Sequence, residues 1–126
     1  MNRALTIAIA GLFSSLFIFP LQADEAVSTT IGGLYKEKAT LNGKLVKLQG
    51  KVVKVNNRIM QRNFLHLQDG SGNPDDGSND ITVTSQDTAN VDDQVTVMGT
   101  LILDHDFGAG YKYPVLVEKA TITPSE

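Results

Sequence analysis

Hydrophobic and polar residues alternate with a period of two over most of the chain after residue 43. Such alternation is typical of β-strands that turn one face to a core and the other to water. Turn-forming residues interrupt the pattern, most extensively over 69–79, which we therefore expect to be an exposed loop. Between these breaks the pattern predicts five strands, over 44–55, 64–68, 80–84, 94–103 and 114–118, the last continuing to residue 122.

The first and fourth predicted strands each contain a glycine near the middle, Gly50 and Gly99. Glycine inside a strand favours a bend, a bulge or the close approach of another backbone, so we expect both strands to curve. The dry face of the first strand is predicted to contain Val46, Leu48, Val53 and Val55.

One short helix is predicted ahead of the strands, over 31–42, where Ile31, Leu34, Tyr35 and Leu41 recur at roughly helical spacing. Five short strands in one small domain, two of them curved, predict an all-β fold closed into a barrel. The best fit is a five-stranded OB-fold barrel with a short N-terminal helix. An open sandwich is the alternative, but that architecture normally has more strands.

The beginning of the chain differs from the rest. Arg3 is the only charged residue before Asp24, and residues 4–19 are almost wholly apolar. This pattern predicts a secretory signal peptide over 1–23, cleaved after Ala23. An uncleaved anchor is the alternative, but the run is marginal in length and is interrupted by glycine, serine and proline. We expect no membrane span after cleavage, and the mature chain is predicted to have a flexible N-terminus at 24–30, the OB-fold domain at 31–123 and a tail at 124–126.

The 126 residues include no cysteine. This excludes a disulfide framework, a thiolate metal site, covalent c-type haem attachment and a thiol nucleophile. Export without cysteine suits the bacterial periplasm. The sequence also lacks a serine nucleophile motif, a Walker-type loop and paired catalytic carboxylates, so we expect a binding protein and not an enzyme.

Charge is distributed unevenly along the chain. Residues 36–62 contain eight basic residues and one acidic residue, whereas 69–106 contain nine aspartates and no lysine or arginine, within an overall net charge of −3. One interpretation is a positive surface that attracts anions. The alternative is that lysine-rich strand faces and aspartate-rich turns are ordinary and partly neutralise each other.

Three segments together resemble a known family: 50–56 (GKVVKVN), 59–72 (IMQRNFLHLQDGSG) and 106–114 (DFGAGYKYP). The chain resembles exported single-domain OB-fold proteins of the tRNA-anti-like, nucleic-acid-binding type, some of which are associated with multihaem nitrite reductase systems. The resemblance covers roughly 31–122 and implies the same fold. It also implies an accessory or binding role, although Phe64 stands where the family pattern has tryptophan.

In OB-fold barrels, ligands bind on the second and third strands between the loop after strand one and the loop before strand five. Aromatic faces and cations on this surface, here called the barrel mouth, would suit a single-stranded nucleic acid, a nucleotide or another anion. The candidate ligand-binding residues are Arg58, Arg62, Phe64, His66, Phe107, Tyr111 and Tyr113. The structural alternative is that the aromatic residues pin the last loop onto the barrel.

No cofactor is expected, but a Cu(I) site is an alternative. Met60 and His66 would supply a thioether and an imidazole beside Phe64, with Met98 or His105 as a third ligand. A further alternative is that the barrel mouth docks a periplasmic redox protein such as a cytochrome. The pattern of the 69–80 loop does not predict a calcium site, because Pro74 occupies the position where a calcium loop needs glycine.

Overall fold

The computed structural model describes residues 25–125, so the predicted leader over 1–23 and the last residue of the predicted tail lie outside the described part. The elements in chain order are β1 (Val27–Ser28), α1 (Ile31–Lys36), α2 (Lys38–Leu41), β2 (Leu45–Ile59), β3 (Arg62–Gln68), β4 (Ile81–Ser85), β5 (Gln94–Asp106) and β6 (Lys112–Pro124). Among the described helices, none has the length and apolar character needed to cross a membrane.

Five strands form a closed ring in the order β2-β3-β4-β6-β5, and a β2–β5 pairing closes it. The β4–β6 pair is parallel, and the other pairs of the ring are antiparallel. The predicted all-β, five-stranded barrel is therefore confirmed. The two-residue strand β1 adds to β2 outside the ring, and two residues are too few to produce a periodic pattern.

Strand β2 pairs with β5 in its first half and with β3 in its second half, and Lys51 takes part in both pairings. The change of partner occurs beside Gly50, where a Cβ would lie 2.6 Å from the Gln68 carbonyl oxygen. Of the roles predicted for Gly50, the structure shows the close approach of another backbone. Strand β2 also has a bulge, which follows Val52.

The predicted dry face of β2 is wrong at Val53. Val52 is fully buried, whereas Val53 is only partly buried, because the register shift between Val52 and Lys54 reverses the alternation there. Val55 packs against the core from a partly buried position, as the second half of the prediction required.

The single predicted helix is divided in two at Glu37, which ends α1 and precedes α2. Thr30 caps α1 by accepting a hydrogen bond from the Gly33 amide. Asp69 accepts another from the Ile31 amide at 2.9 Å, so the long loop after β3 holds the helix. The loop is exposed over most of its length, as predicted, but its first residues are partly buried against α1.

The core fills the ring between the strands. Ile31 and Leu34 of α1 and Leu41 of α2 enter it. Because α1 contacts the loop that follows β3, the helices lie at the end of the barrel opposite the β2–β3 turn.

The β5–β6 hairpin is longer than predicted. Residues 104–113 were expected to form a loop, but the strands continue through the pairs His105↔Tyr113 and Asp106↔Lys112. Only five residues remain between the strands, so His105 and Tyr113 lie on a paired ribbon, and Phe107 and Tyr111 are the first and last residues of its tip.

Candidate ligand-binding site at the barrel mouth

The β2–β3 turn forms one wall of the barrel mouth. Ile59 pairs with Arg62, and the two residues between them, Met60 and Gln61, both have positive φ, at 51° and 67°. This is the backbone of a two-residue turn whose twist matches that of the flanking strands. Gln86 donates from Nε2 to the Gln61 carbonyl at 2.8 Å, which ties the turn to the segment after β4.

The tip of the β5–β6 hairpin forms the facing wall. The Phe107 amide donates to the Tyr111 carbonyl at 2.9 Å, and the Tyr111 amide donates to the Gly108 carbonyl at 3.0 Å. Gly108, Ala109 and Gly110 all have positive φ, which glycine tolerates readily. The tip is therefore closed by backbone hydrogen bonds between its first and last residues.

Five aromatic rings form a cluster between the hairpin and β3, which we call the aromatic cluster: Phe64, His105, Phe107, Tyr111 and Tyr113. The Phe64 ring centroid lies 5.5 Å from that of Phe107, 6.2 Å from that of Tyr111 and 5.8 Å from that of Tyr113. The His105 and Phe107 rings meet edge to face at 4.2 Å. These separations lie within or just below the usual range for interacting aromatic pairs.

Exposure differs sharply within the aromatic cluster. Phe64 is only 3% exposed, so its ring has no free face for a ligand while the hairpin lies on it. Tyr111 is 37% exposed, and Phe107 and Tyr113 are intermediate. Of the predicted stacking residues, Tyr111 is therefore the most accessible, and Phe64 supports the cluster from beneath.

Both predicted arginines lie at the barrel mouth. The Arg62 guanidinium carbon lies 4.6 Å from the centre of the Phe107 ring, a cation–π contact. Within residues 25–125, neither Arg58 nor Arg62 has a carboxylate oxygen within 4.0 Å. Their charges are thus available to a ligand.

The two arginines line a groove of about 600 Å³, which we call the arginine groove. Its lining consists of Asn57, Arg58, Gln61, Arg62, Asn63, Gln86 and Thr88. Asn63 holds the groove in shape, because its Oδ1 accepts from the Arg58 amide at 3.0 Å and its Nδ2 donates to the Asp87 carbonyl at 2.9 Å. Every lining side chain is polar or cationic, and none is anionic.

His66 lies further along β3 and has its own partner. Its Nδ1 is 2.7 Å from Asp80 Oδ1, and the other oxygen of that carboxylate accepts from Gln68 Nε2 at 2.9 Å. Its predicted place on the same strand face as Phe64 agrees with the register, since the two residues pair with Thr82 and Thr84 of β4. The structure does not bring it to the arginines.

The structure also separates Met60 from His66. Met60 is in the turn, and His66 is four residues beyond the start of β3, about 13 Å along an extended strand. Their side chains cannot bind one ion in this conformation. Among residues 25–125, no group of three or more histidine or carboxylate side chains is suitably placed for a metal either.

The basic and acidic parts of the chain are paired at one point in the described structure. Lys51 Nζ lies 3.4 Å from Asp92 Oδ1, and this is the one lysine or arginine contact with a carboxylate within residues 25–125. Direct pairing of the basic segment with the aspartates is thus limited, within these residues, to one contact.

Sequence reasoning missed the contribution of the segments that flank β4. Gln86 and Thr88, which follow β4, line the arginine groove, and Asp80, which precedes β4, holds His66. These residues lie in polar stretches that resemble ordinary turns, and only the pairing of β3 with β4 brings them to the site.

Burial raises the pKa of Tyr113, and its neighbour Tyr111 adds to the rise. The Tyr113 hydroxyl is therefore protonated at neutral pH and can act as a neutral hydrogen-bond donor at the edge of the aromatic cluster.

No protein-family model matches the chain, and no curated protein sequence matches it. Solved structures do match. An aspartyl-tRNA synthetase from Leishmania major aligns over 90% of this chain and 24% of its own, with 12% identity and a TM-score of 0.54. With the ring order and the parallel β4–β6 pair, this likeness decides the architecture. The fold is an OB-fold.

A second OB-fold match is the asparaginyl-tRNA synthetase of Entamoeba histolytica, whose structure holds asparaginyl-adenylate. It aligns over 81% of this chain and 25% of its own, with 14% identity and a TM-score of 0.51. The chain thus spans about a quarter of the length of either synthetase. Identities this low establish the shared fold alone.

Proposed function

We propose that this chain is an exported, non-catalytic OB-fold protein that binds an anionic ligand at the barrel mouth, and that the ligand is a single-stranded oligonucleotide or a nucleotide. The observation that carries the proposal is Arg62. Its guanidinium rests on Phe107 at the edge of the arginine groove and has no carboxylate partner among the described residues.

Arginine is suited to this role because its planar group can donate two parallel hydrogen bonds to a phosphate while stacking on an aromatic ring. Arg58 lines the same groove, so a phosphate there would meet two cations. The amide NH2 groups of Asn57, Gln61 and Gln86 would donate hydrogen bonds to it.

A base would stack beside the phosphate. Tyr111 is the accessible ring of the aromatic cluster, and Phe107 and Tyr113 are partly accessible beside it. Stacking on such rings is tolerant of sequence because every base has a π-face. OB-folds commonly bind oligonucleotides on this part of the barrel, and both matched structures are named as tRNA synthetases.

Export to the periplasm rests on the leader pattern over 1–23 and on the lack of cysteine. The non-catalytic role rests on the composition of the groove, which has amides and guanidinium groups but no carboxylate or imidazole to act as a base. The copper alternative lacks geometric support in the described residues, since Met60 and His66 are apart. No contact there favours docking of a cytochrome over binding of a small anionic ligand.

The test is a titration of residues 24–126, which contain every described element, with a mixed-sequence single-stranded oligonucleotide at low salt. Two-dimensional amide NMR should show shifts in the β2–β3 turn, the start of β3 and the hairpin tip, and added salt should reverse them. Arg62→Ala should weaken binding about tenfold, in line with the loss of a charge-assisted hydrogen bond.

Lys36→Ala is the matched control, because it removes one exposed positive charge at the opposite end of the barrel. If both substitutions weaken binding equally, the interaction is a general charge effect and the site is refuted. If no amide shifts at a large excess of oligonucleotide or nucleotide, the proposed ligand class is refuted.

A further inference from the structure

Strand β6 contains a bulge at Lys119, on the side of the barrel mouth next to Arg62. Against β5, the pairs are Thr100↔Glu118 and Met98↔Thr121, so β6 carries one extra residue between them. Lys119 has φ of 53°, a conformation that side chains with a Cβ seldom adopt. Its amide donates to Thr84 Oγ1 at 3.3 Å.

The bulge brings Lys119 to the lining of a second groove, of about 260 Å³. The side chains that line this second groove belong to Arg62, Thr84, Ser85, Gln86, Asp87, Lys119, Ala120 and Thr121. Arg62 and Gln86 line both this groove and the arginine groove. The two grooves therefore meet at Arg62, with Arg58 on one side and Lys119 on the other.

One anionic residue lines the second groove. Asp87 Oδ2 accepts from the Ile122 amide at 2.9 Å, which commits part of this carboxylate to the backbone of β6. Lys119 has no carboxylate within 4.0 Å among residues 25–125, so Asp87 does not neutralise it by direct contact.

Unfavourable backbone geometry occurs at three positions along the joined grooves. Among residues 25–125, seven non-glycine residues have positive φ, and three of them, Arg58, Gln61 and Lys119, line these grooves. Such conformations cluster at sites where side chains must be presented to a ligand. At Lys119 the bulge also redirects the strand, which is a common means of re-aiming a side chain.

We propose that Lys119 is a further cationic contact of the site, and that the ligand is a chain carrying several phosphates, laid from Arg58 past Arg62 to Lys119. This inference rests on the proposed function and deepens it. An oligonucleotide of several residues fits the three cations in sequence, whereas inorganic phosphate or a nucleoside monophosphate can engage only part of the set.

The experiment compares Lys119→Gln with Lys38→Gln in residues 24–126, using a hexanucleotide and a nucleoside monophosphate as ligands. Lys38 is an exposed lysine of α2 at the opposite end of the barrel, so its substitution is the control for net charge. Lys119→Gln should weaken hexanucleotide binding about fivefold. It should also reduce the slope of log affinity against log salt by about 0.7, the value for one phosphate contact on a single strand.

Binding of the monophosphate should change less than twofold in Lys119→Gln. Lys119→Gly separates charge from backbone geometry, because glycine adopts positive φ without penalty. This variant should melt at a higher temperature than the parent and still bind the hexanucleotide more weakly.

The inference is overturned if Lys119→Gln matches Lys38→Gln on the hexanucleotide while Arg62→Ala still weakens binding. That result would leave the proposed function standing. It is also overturned if Lys119→Gln weakens the monophosphate and the hexanucleotide equally, because the ligand would then be a single anion. If the unmodified protein binds neither the hexanucleotide nor the monophosphate, the proposed function fails and the inference fails with it.

Discussion

Replacing Phe64 tests whether the hairpin is packed on β3 as the structure has it. Phe64 is 3% exposed, and three other aromatic rings lie within 6.2 Å of its centre. Removing a buried phenylalanine ring typically costs about 3–5 kcal/mol, the sum of lost transfer free energy and the cavity left behind. Because the cluster is at the edge of the barrel and can partly collapse, we expect Phe64→Ala to lower the free energy of unfolding by about 3 kcal/mol.

The assay is urea unfolding followed by far-UV circular dichroism, since the chain has no tryptophan. A domain of this size loses about 4–8 °C in melting temperature per kcal/mol, so thermal unfolding should show a fall of more than about 12 °C. The control is Tyr111→Ala, which removes a ring that is 37% exposed and should cost about 1 kcal/mol.

The reasoning is refuted if Phe64→Ala and Tyr111→Ala lower the free energy of unfolding equally, or if Phe64→Ala lowers it by less than about 1 kcal/mol. Either result would mean that the hairpin tip does not cover Phe64 in solution. Phe64 would then be free to stack on a ligand directly.

Three further predictions concern parts of the barrel away from the mouth. Gly50→Ala should destabilise the fold by about 1–3 kcal/mol in urea unfolding, because the new Cβ would lie 2.6 Å from the Gln68 carbonyl oxygen. Asp69→Ala should lower the free energy of unfolding by about 1–2 kcal/mol, since it leaves the first amide of α1 without its acceptor. The loss of protection from hydrogen exchange should be confined to the helix. Burial raises the pKa of Tyr35, and the negative charge of Asp80 raises it further. The contribution of the Tyr35 hydroxyl to stability is therefore complete below pH 10, the pKa of an exposed tyrosine, and is lost as the pH rises through the pKa in the folded state. Tyr35→Phe should reduce the fall in urea midpoint above about pH 10, and an unchanged slope at alkaline pH would contradict this.

Much of the architecture follows from local pattern. Alternation with a period of two locates every strand of the ring to within a few residues, and Gly50 marks the point where β2 changes partner. Within β2 the prediction fails at a single residue. The bulge after Val52 reverses the alternation, so Val53 leaves the face that its spacing assigned to it.

The site depended on tertiary structure to a greater degree. The sequence indicates Arg62, Phe107 and Tyr111 as candidates by residue type. It does not indicate that Arg62 stacks on Phe107 or that the hairpin covers Phe64. It also gives no sign that Lys119 lies beside Arg62.

Sequence alone determined the five strands of the ring and the kinds of side chain at the mouth, because these depend on neighbours a few residues apart. The contacts that turn those side chains into a groove join residues that are tens of positions apart, such as Arg62 with Phe107 and Arg62 with Lys119. Ring closure through the β2–β5 and β4–β6 pairings sets these contacts. A one-residue bulge then decides which side chains point into the groove, and a periodic pattern cannot locate such a bulge.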